Sequence, residues 1–272
     1  MKAKRATLTE RAVRQMLELK HVKKIYNPGT VTETILFEDF NLSVEEGSFV
    51  SIVGSNGSGK TSMLNLICGS IPLDGGDITI GGKSISKMKE FMRYRTIGRV
   101  YQNPAAGTCP NMTMLENLSL ADNKGKPFGL TFGVNYKRKD YYREQLASLG
   151  LGLENKMDIK LGALSGGQRQ AVALIMATLT PIDFLILDEH TAALDPKTAD
   201  IIMELTDRVV KEKKLTAMMV THNLRYAVEY GTRLLMMDRG HVILDKDGAE
   251  KQATTVDDIL GIFNRISIEC GN

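Results

Sequence analysis

Gly54-Ser55-Asn56-Gly57-Ser58-Gly59-Lys60-Thr61 follows the spacing G-x-x-x-x-G-K-[ST]. The chemistry this spacing supports is phosphate binding. Glycines let backbone N–H groups turn toward one centre, and a helix starting at the end of the loop adds positive potential there. Lys60 is placed to reach the β- and γ-phosphates of a nucleotide, and the Thr61 hydroxyl to hold Mg2+. Ser55, Asn56, Gly57, Ser58, Gly59 and Ser62 complete the stretch that would surround the phosphates. Such a motif needs a strand before it and a helix after it. Phe49-Val50-Ser51-Ile52-Val53 supplies the strand, and Ser62 to Cys68 reads as the helix.

A second stretch, Leu185-Ile186-Leu187-Asp188-Glu189, is an apolar strand ending in two acids. A buried strand delivers such carboxylates to the carboxyl edge of a parallel sheet, where ligands bind. Asp188 can hold Mg2+ opposite Thr61, and Glu189 can orient or deprotonate an attacking water. In a third stretch, Leu164-Ser165-Gly166-Gly167-Gln168, Ser165 caps a helix expected from about Gly167 to Leu179. That cap presents free N–H groups and a hydroxyl to an anion.

Leu164 to Gln168 resembles the signature of ATP-binding-cassette (ABC) ATPases, and the resemblance covers roughly residues 17 to 245. It implies an α/β fold: a P-loop NTPase core with a parallel sheet, an N-terminal antiparallel β subdomain and an inserted α-helical subdomain. It also implies ATP and Mg2+ as ligands. Gln102 resembles the glutamine that touches Mg2+ and the nucleophilic water. His222 resembles the histidine that contacts the γ-phosphate. Asp195 resembles the aspartate that communicates across a dimer, and Tyr26 the aromatic that stacks on adenine. Ser165, Gly166, Gly167 and Gln168 would close on ATP held by another subunit, so one P-loop per chain implies a homodimer or a heterodimer with a similar ATPase.

Two positions depart from the family's pattern. His190 stands where proline usually follows the catalytic glutamate, and it adds a titratable group expected near the γ-phosphate. The helix after the signature carries only Arg169 where arginines are usual. Asn103-Pro104 and Met112 to Leu118 resemble transporter ATPases, so the helical segment at about 103–163 would dock a membrane permease. The expected place is the cytoplasmic face of the cell membrane, as the ATPase subunit of an importer of a small solute, served indirectly by an extracytoplasmic solute-binding protein. The string Asp188 to Asp195 looks like an importer branch linked to amino acids, aromatic ones among them. An exporter ATPase and a soluble iron–sulfur assembly ATPase are the alternatives. The latter's signature usually departs at the position of Gln168.

The elements that must position these residues are legible as alternating patterns. The 272 residues allow one large α/β domain with a subdomain. Three divisions are expected: a basic extension at 1–15 (Lys2, Lys4, Arg5, Arg11 and Arg14 against Glu10), an ATPase domain at 16–245, and a tail at 246–272. Strands are expected from Leu17 to Val22, Thr34 to Phe40, Asn41 to Val44, Asp77 to Ile80, Ile97 to Tyr101, Phe184 to Leu187 and Thr216 to Val220. Arg239-Gly240 should turn a hairpin between Leu234–Asp238 and His241–Asp245. Lys124 to Asp140 reads as a loop, and Thr255 to Arg265 as an amphipathic helix with Val256, Ile259, Leu260 and Phe263 on one face. A net charge of +3 argues for no nucleic-acid partner. Cys68, Cys109 and Cys270 have no metal spacing and read as reduced thiols. The longest apolar stretch, Ala171 to Leu179, is far short of the roughly 20 residues that span a bilayer. No signal peptide is legible.

Overall fold

The computed structural model describes residues 14–127, 129 and 133–269. Lys2, Lys4, Arg5, Glu10, Arg11 and Cys270 lie outside the described residues. The chain opens with β1 (Gln15–Tyr26), β2 (Thr34–Glu45) and β3 (Phe49–Gly54), followed by α1 (Lys60–Cys68). Next come β4 (Gly75–Ile80), β5 (Lys83–Ser84), α2 (Glu90–Arg93) and β6 (Ile97–Val100). A helical stretch follows with α3 (Met114–Asp122), α4 (Lys139–Ala147) and α5 (Gly166–Thr178). The chain then alternates through β7 (Phe184–Asp188), α6 (Pro196–Glu212), β8 (Thr216–Val220) and α7 (Leu224–Glu229). It ends with β9 (Arg233–Asp238), β10 (His241–Asp247), α8 (Gly248–Ala253) and α9 (Val256–Glu269).

Two sheets result. One is antiparallel, in the order β2-β1-β4-β5; the other runs β10-β9-β3-β8-β7-β6 and is parallel except for the edge strand β10. Every residue of β3 and β8 is buried, as strands covered on both faces require. β2 is one strand, not the two expected pieces. The chain runs on through Phe40 and Asn41, where the break is expected, and a bulge lies just before it at Glu38-Asp39: Val22 pairs with Phe40 and Lys24 with Phe37, so β2 carries one extra residue there. The bulge lets both acids face solvent while Phe37 and Phe40 stay inside. α4 begins at Lys139, just inside the stretch expected to be loop.

Helix α1 lies between the sheets. Leu64 and Ile67 share one core with Leu17, Phe37 and Ile78 of the antiparallel sheet and with Ile52, Ile186 and Val220 of the parallel one. Arg93 of α2 is buried and donates from Nη1 to Leu66 O (2.7 Å) and Ile67 O (3.1 Å). A cation at those carbonyls finishes the helix end that its own amides cannot. The opposite face of the parallel sheet packs Leu185, Leu187 and Met219 under Leu174 of α5 and Met203 of α6. A separate apolar cluster joins Leu118, Tyr142 and Leu146 of α3 and α4 to Val172 and Ile175 of α5. α9 buries Ile259 against Ala227 and Met236, while Leu260 is exposed. Among the described residues, no helix is long and apolar enough to cross a membrane.

Candidate functional site

Strand β3 carries Gly54 to the carboxyl edge of the parallel sheet, between β8 and β9. The loop beyond it turns on Gly57 (φ +79) and Gly59 (φ +102), conformations that side chains disfavour. Lys60 is buried, and its ammonium donates to Gly54 O (2.7 Å), Ser55 O (2.9 Å) and Ser58 Oγ (3.3 Å). Burial pushes the Lys60 ammonium below its usual pKa, and the nearby Glu189 charge acts in the opposite direction. Helix α1 has no side chain capping its first turn and no acid in that turn. The amides of Lys60, Thr61 and Ser62 are therefore offered to an anion, with the helix dipole behind them. Ser55 Oγ donates to Asp238 Oδ1 at 3.0 Å, and Tyr26 donates from its hydroxyl to Ser62 Oγ at 3.1 Å. The tyrosine is thus fixed beside the phosphate loop.

Neighbouring strands bring the acids to the same edge. Asp188 ends β7, opposite Val220 at the end of β8. Its Oδ2 takes a 2.6 Å ion pair from Arg99 Nη2, and Arg99 Nη1 donates to Asn65 Oδ1 of α1 at 3.0 Å. Glu189, one residue on, has φ +47 and donates its N–H to Val220 O at 2.9 Å. Its Oε1 lies 2.7 Å from His222 Nε2. Gln102 stands two residues beyond β6 and is exposed. The edge thus gathers the loop, Thr61, Asp188, Glu189 and His222, while β6 delivers Gln102 beside them.

His190 departs from its expected setting. Its ring is only 2% exposed and meets Thr206 Oγ1 of α6 at 3.0 Å, so it points into the fold. Burial holds it neutral, with its pKa lowered to about 4. Arg99, Asn65 and Gln170 are participants that the motifs did not announce; Gln170 is buried and donates to Tyr101 O at 3.0 Å. The available signal was a lone arginine inside the buried strand β6.

The signature forms a second group. Ser165 Oγ accepts from Gln168 N (3.3 Å) and Gln168 Oε1 from Ser165 N (3.2 Å), a reciprocal cap on α5. A Cβ on Gly167 would collide with Thr198 Cγ2, and one on Gly166 would come 3.3 Å from Leu194. Asp195 caps α6 by accepting from Thr198 N at 3.1 Å. Ser165 and Asp195 both face solvent.

Among the described residues, no cluster of three or more His, Cys, Asp or Glu could cage a metal ion. Thr61, Gln102 and Asp188 offer oxygen donors with a single carboxylate. That sparse set fits Mg2+, which takes few protein ligands and completes its shell with phosphate oxygens and water.

Residues 37–192 match the ABC transporter family. The chain is 47% identical over 249 residues to the tyrosine transport ATP-binding protein of Clostridioides difficile, covering 91% of this chain and 98% of that protein. It is 29% identical to the phosphonates import ATP-binding protein PhnC of Lactococcus lactis, over 90% of this chain and 98% of that one. Among solved structures it resembles the ATP-binding cassette MJ0796 in a dimeric post-hydrolysis state bound to ADP and Pi. That match has a TM-score of 0.72 and 31% identity, over 85% of this chain and 98% of that one. With a phosphate loop, acid-tipped strand and signature in one fold, the chain belongs to the ABC transporter family as an ATP-binding, ATP-hydrolysing subunit.

Proposed function

We propose that this subunit powers import of a small solute, an aromatic amino acid such as tyrosine, through a membrane permease. The observation that carries the reading is the near full-length 47% identity to a tyrosine transport ATP-binding protein. Lys60 and the amides at the start of α1 bind the β- and γ-phosphates, and Tyr26 stacks on the base. Thr61, Asp188 and Gln102 would hold Mg2+, whose charge offsets that of the phosphate oxygens. Glu189 orients the attacking water and takes its proton, and His222 steadies both Glu189 and the γ-phosphate. Ser165 and Asp195, exposed and capping α5 and α6, serve the site of a second copy. Two chains close on two ATP molecules and part after hydrolysis.

The permease docks in a cavity of about 410 Å³ between β6 and the helical region. Its lining includes Tyr94, Tyr101, Cys109, Leu120, Lys124 and Met176. Lys124 donates to Ile97 O at 2.8 Å, and burial lowers its pKa to about 8. The working position is peripheral, on the cytoplasmic face of the membrane. Uptake of labelled tyrosine by cells carrying Glu189→Gln in place of the native chain tests the reading. Uptake should fall to background, and the variant should co-purify with a multi-span membrane protein. Unchanged tyrosine uptake would remove the substrate assignment. Soluble partners alone would remove the transporter assignment for this chain.

A further inference from the structure

The backbone at Glu189 is left-handed, φ +47, which a β-carbon makes unfavourable. Something must hold it there. On one side Glu189 N donates to Val220 O and Glu189 O accepts from Ala192 N, both at 2.9 Å. On the other side stands His190, with Nε2 3.0 Å from Thr206 Oγ1. Thr206 is fully buried, and its hydroxyl donates to Ile202 O at 2.7 Å. The hydroxyl proton is therefore spent, and the oxygen accepts from His190 Nε2–H. Thr206 lies within α6, the helix whose first turn Asp195 caps.

We propose that His190 is a positioning residue: its hydrogen bond to Thr206 pegs the turn after β7 to α6 and so holds the Glu189 carboxylate where it meets water and His222. The inference rests on Glu189 as the residue that acts on the attacking water. His190 touches neither nucleotide nor water; it works through the backbone of its neighbour. Small misplacement of a catalytic group is enough to slow a reaction strongly. A proline at the same position would stiffen the turn by its ring instead of by a hydrogen bond.

The test uses the purified full-length chain, with steady-state ATP hydrolysis and ATP binding by calorimetry measured in parallel. His190→Ala and Thr206→Val should each lower kcat about tenfold while the Kd for ATP stays within about twofold. Thr206→Ser, which keeps the hydroxyl, should retain the rate, and His190→Pro should recover most of what alanine loses. In the His190→Pro background, Thr206→Val should cost less than about twofold more, because no peg is left to cut. A merely structural role predicts the reverse: the same cost in both backgrounds, with ATP affinity and melting temperature falling together. That pattern, or full kcat in Thr206→Val, overturns the proposal. If His190→Ala does not fold, the Thr206→Val and Thr206→Ser pair decides alone. Glu189→Gln separates the two levels. Hydrolysis surviving in it removes the role of Glu189, whereas its loss alongside a normal Thr206→Val removes only the peg.

Discussion

The edge of the parallel sheet and the helical flank between β6 and β7 solve opposite problems. At the edge, polar groups are answered within the chain. Lys60 is held by three loop oxygens, Asp188 by Arg99, and Glu189 by His222. On the flank, Ser165 stands exposed with its hydroxyl spent on capping α5, and Lys124 lines a cavity with one backbone carbonyl as its bond. The edge is prepared for a small anion that arrives from solution. The flank is where the proposed permease and second copy would meet the chain. Preorganised charge is what phosphoryl transfer needs, since its catalysis is mainly positioning and electrostatics.

If the contrast holds, substitutions at the edge strike chemistry first. Glu189→Gln should cut kcat about a thousandfold with ATP affinity kept, read by single-turnover hydrolysis beside equilibrium binding. Lost affinity would mean that the edge does not separate binding from catalysis. Ser165→Arg should lower hydrolysis about a hundredfold while a single chain binds ATP as before, if the serine acts on another copy's nucleotide as proposed. Weakened binding by the isolated chain would instead place the signature at its own phosphate loop.

Two smaller effects test the flank. Lys124 is depressed to about 8 from 10.5, so between those values the unfolded chain binds more protons than the folded one. Stability therefore rises with pH across that window. From pH 8 to about pH 10 the native chain should gain about 2 kcal/mol relative to Lys124→Met, measured by urea unfolding. Equal pH slopes would show that the lysine is not desolvated in its cavity. Thr113 caps α3 in a reciprocal pair with Glu116. Thr113→Ala should cost about 1 kcal/mol of stability and leave kcat alone.

Much of this was legible beforehand because glycine and alternation carry local physics. The phosphate loop announced itself through glycines at positive φ, and β7 and β8 through unbroken apolar runs ending in Asp188 and before His222. What stayed hidden depended on contacts between distant segments. Nothing around Arg99 reveals that it reaches across to Asp188, 89 positions later. His190 looked like a site residue because it directly follows Glu189, where the resembled family usually carries proline, and adds a titratable ring there. Only packing against Thr206 turns it inward. The continuity of β2 stayed hidden for a related reason: only its pairing with β1 carries the strand past Phe40 and Asn41, where the sequence reads as two pieces.

The self-contained cap of Ser165 and Gln168 bears on assembly. A surface that closes its own hydrogen bonds does not wait for a partner to become ordered. Two such chains meet as finished bodies, so the entropy lost on joining is that of translation and rotation and not of folding a loop. Encounter then depends on orientation, and each separation leaves both chains ready for the next cycle.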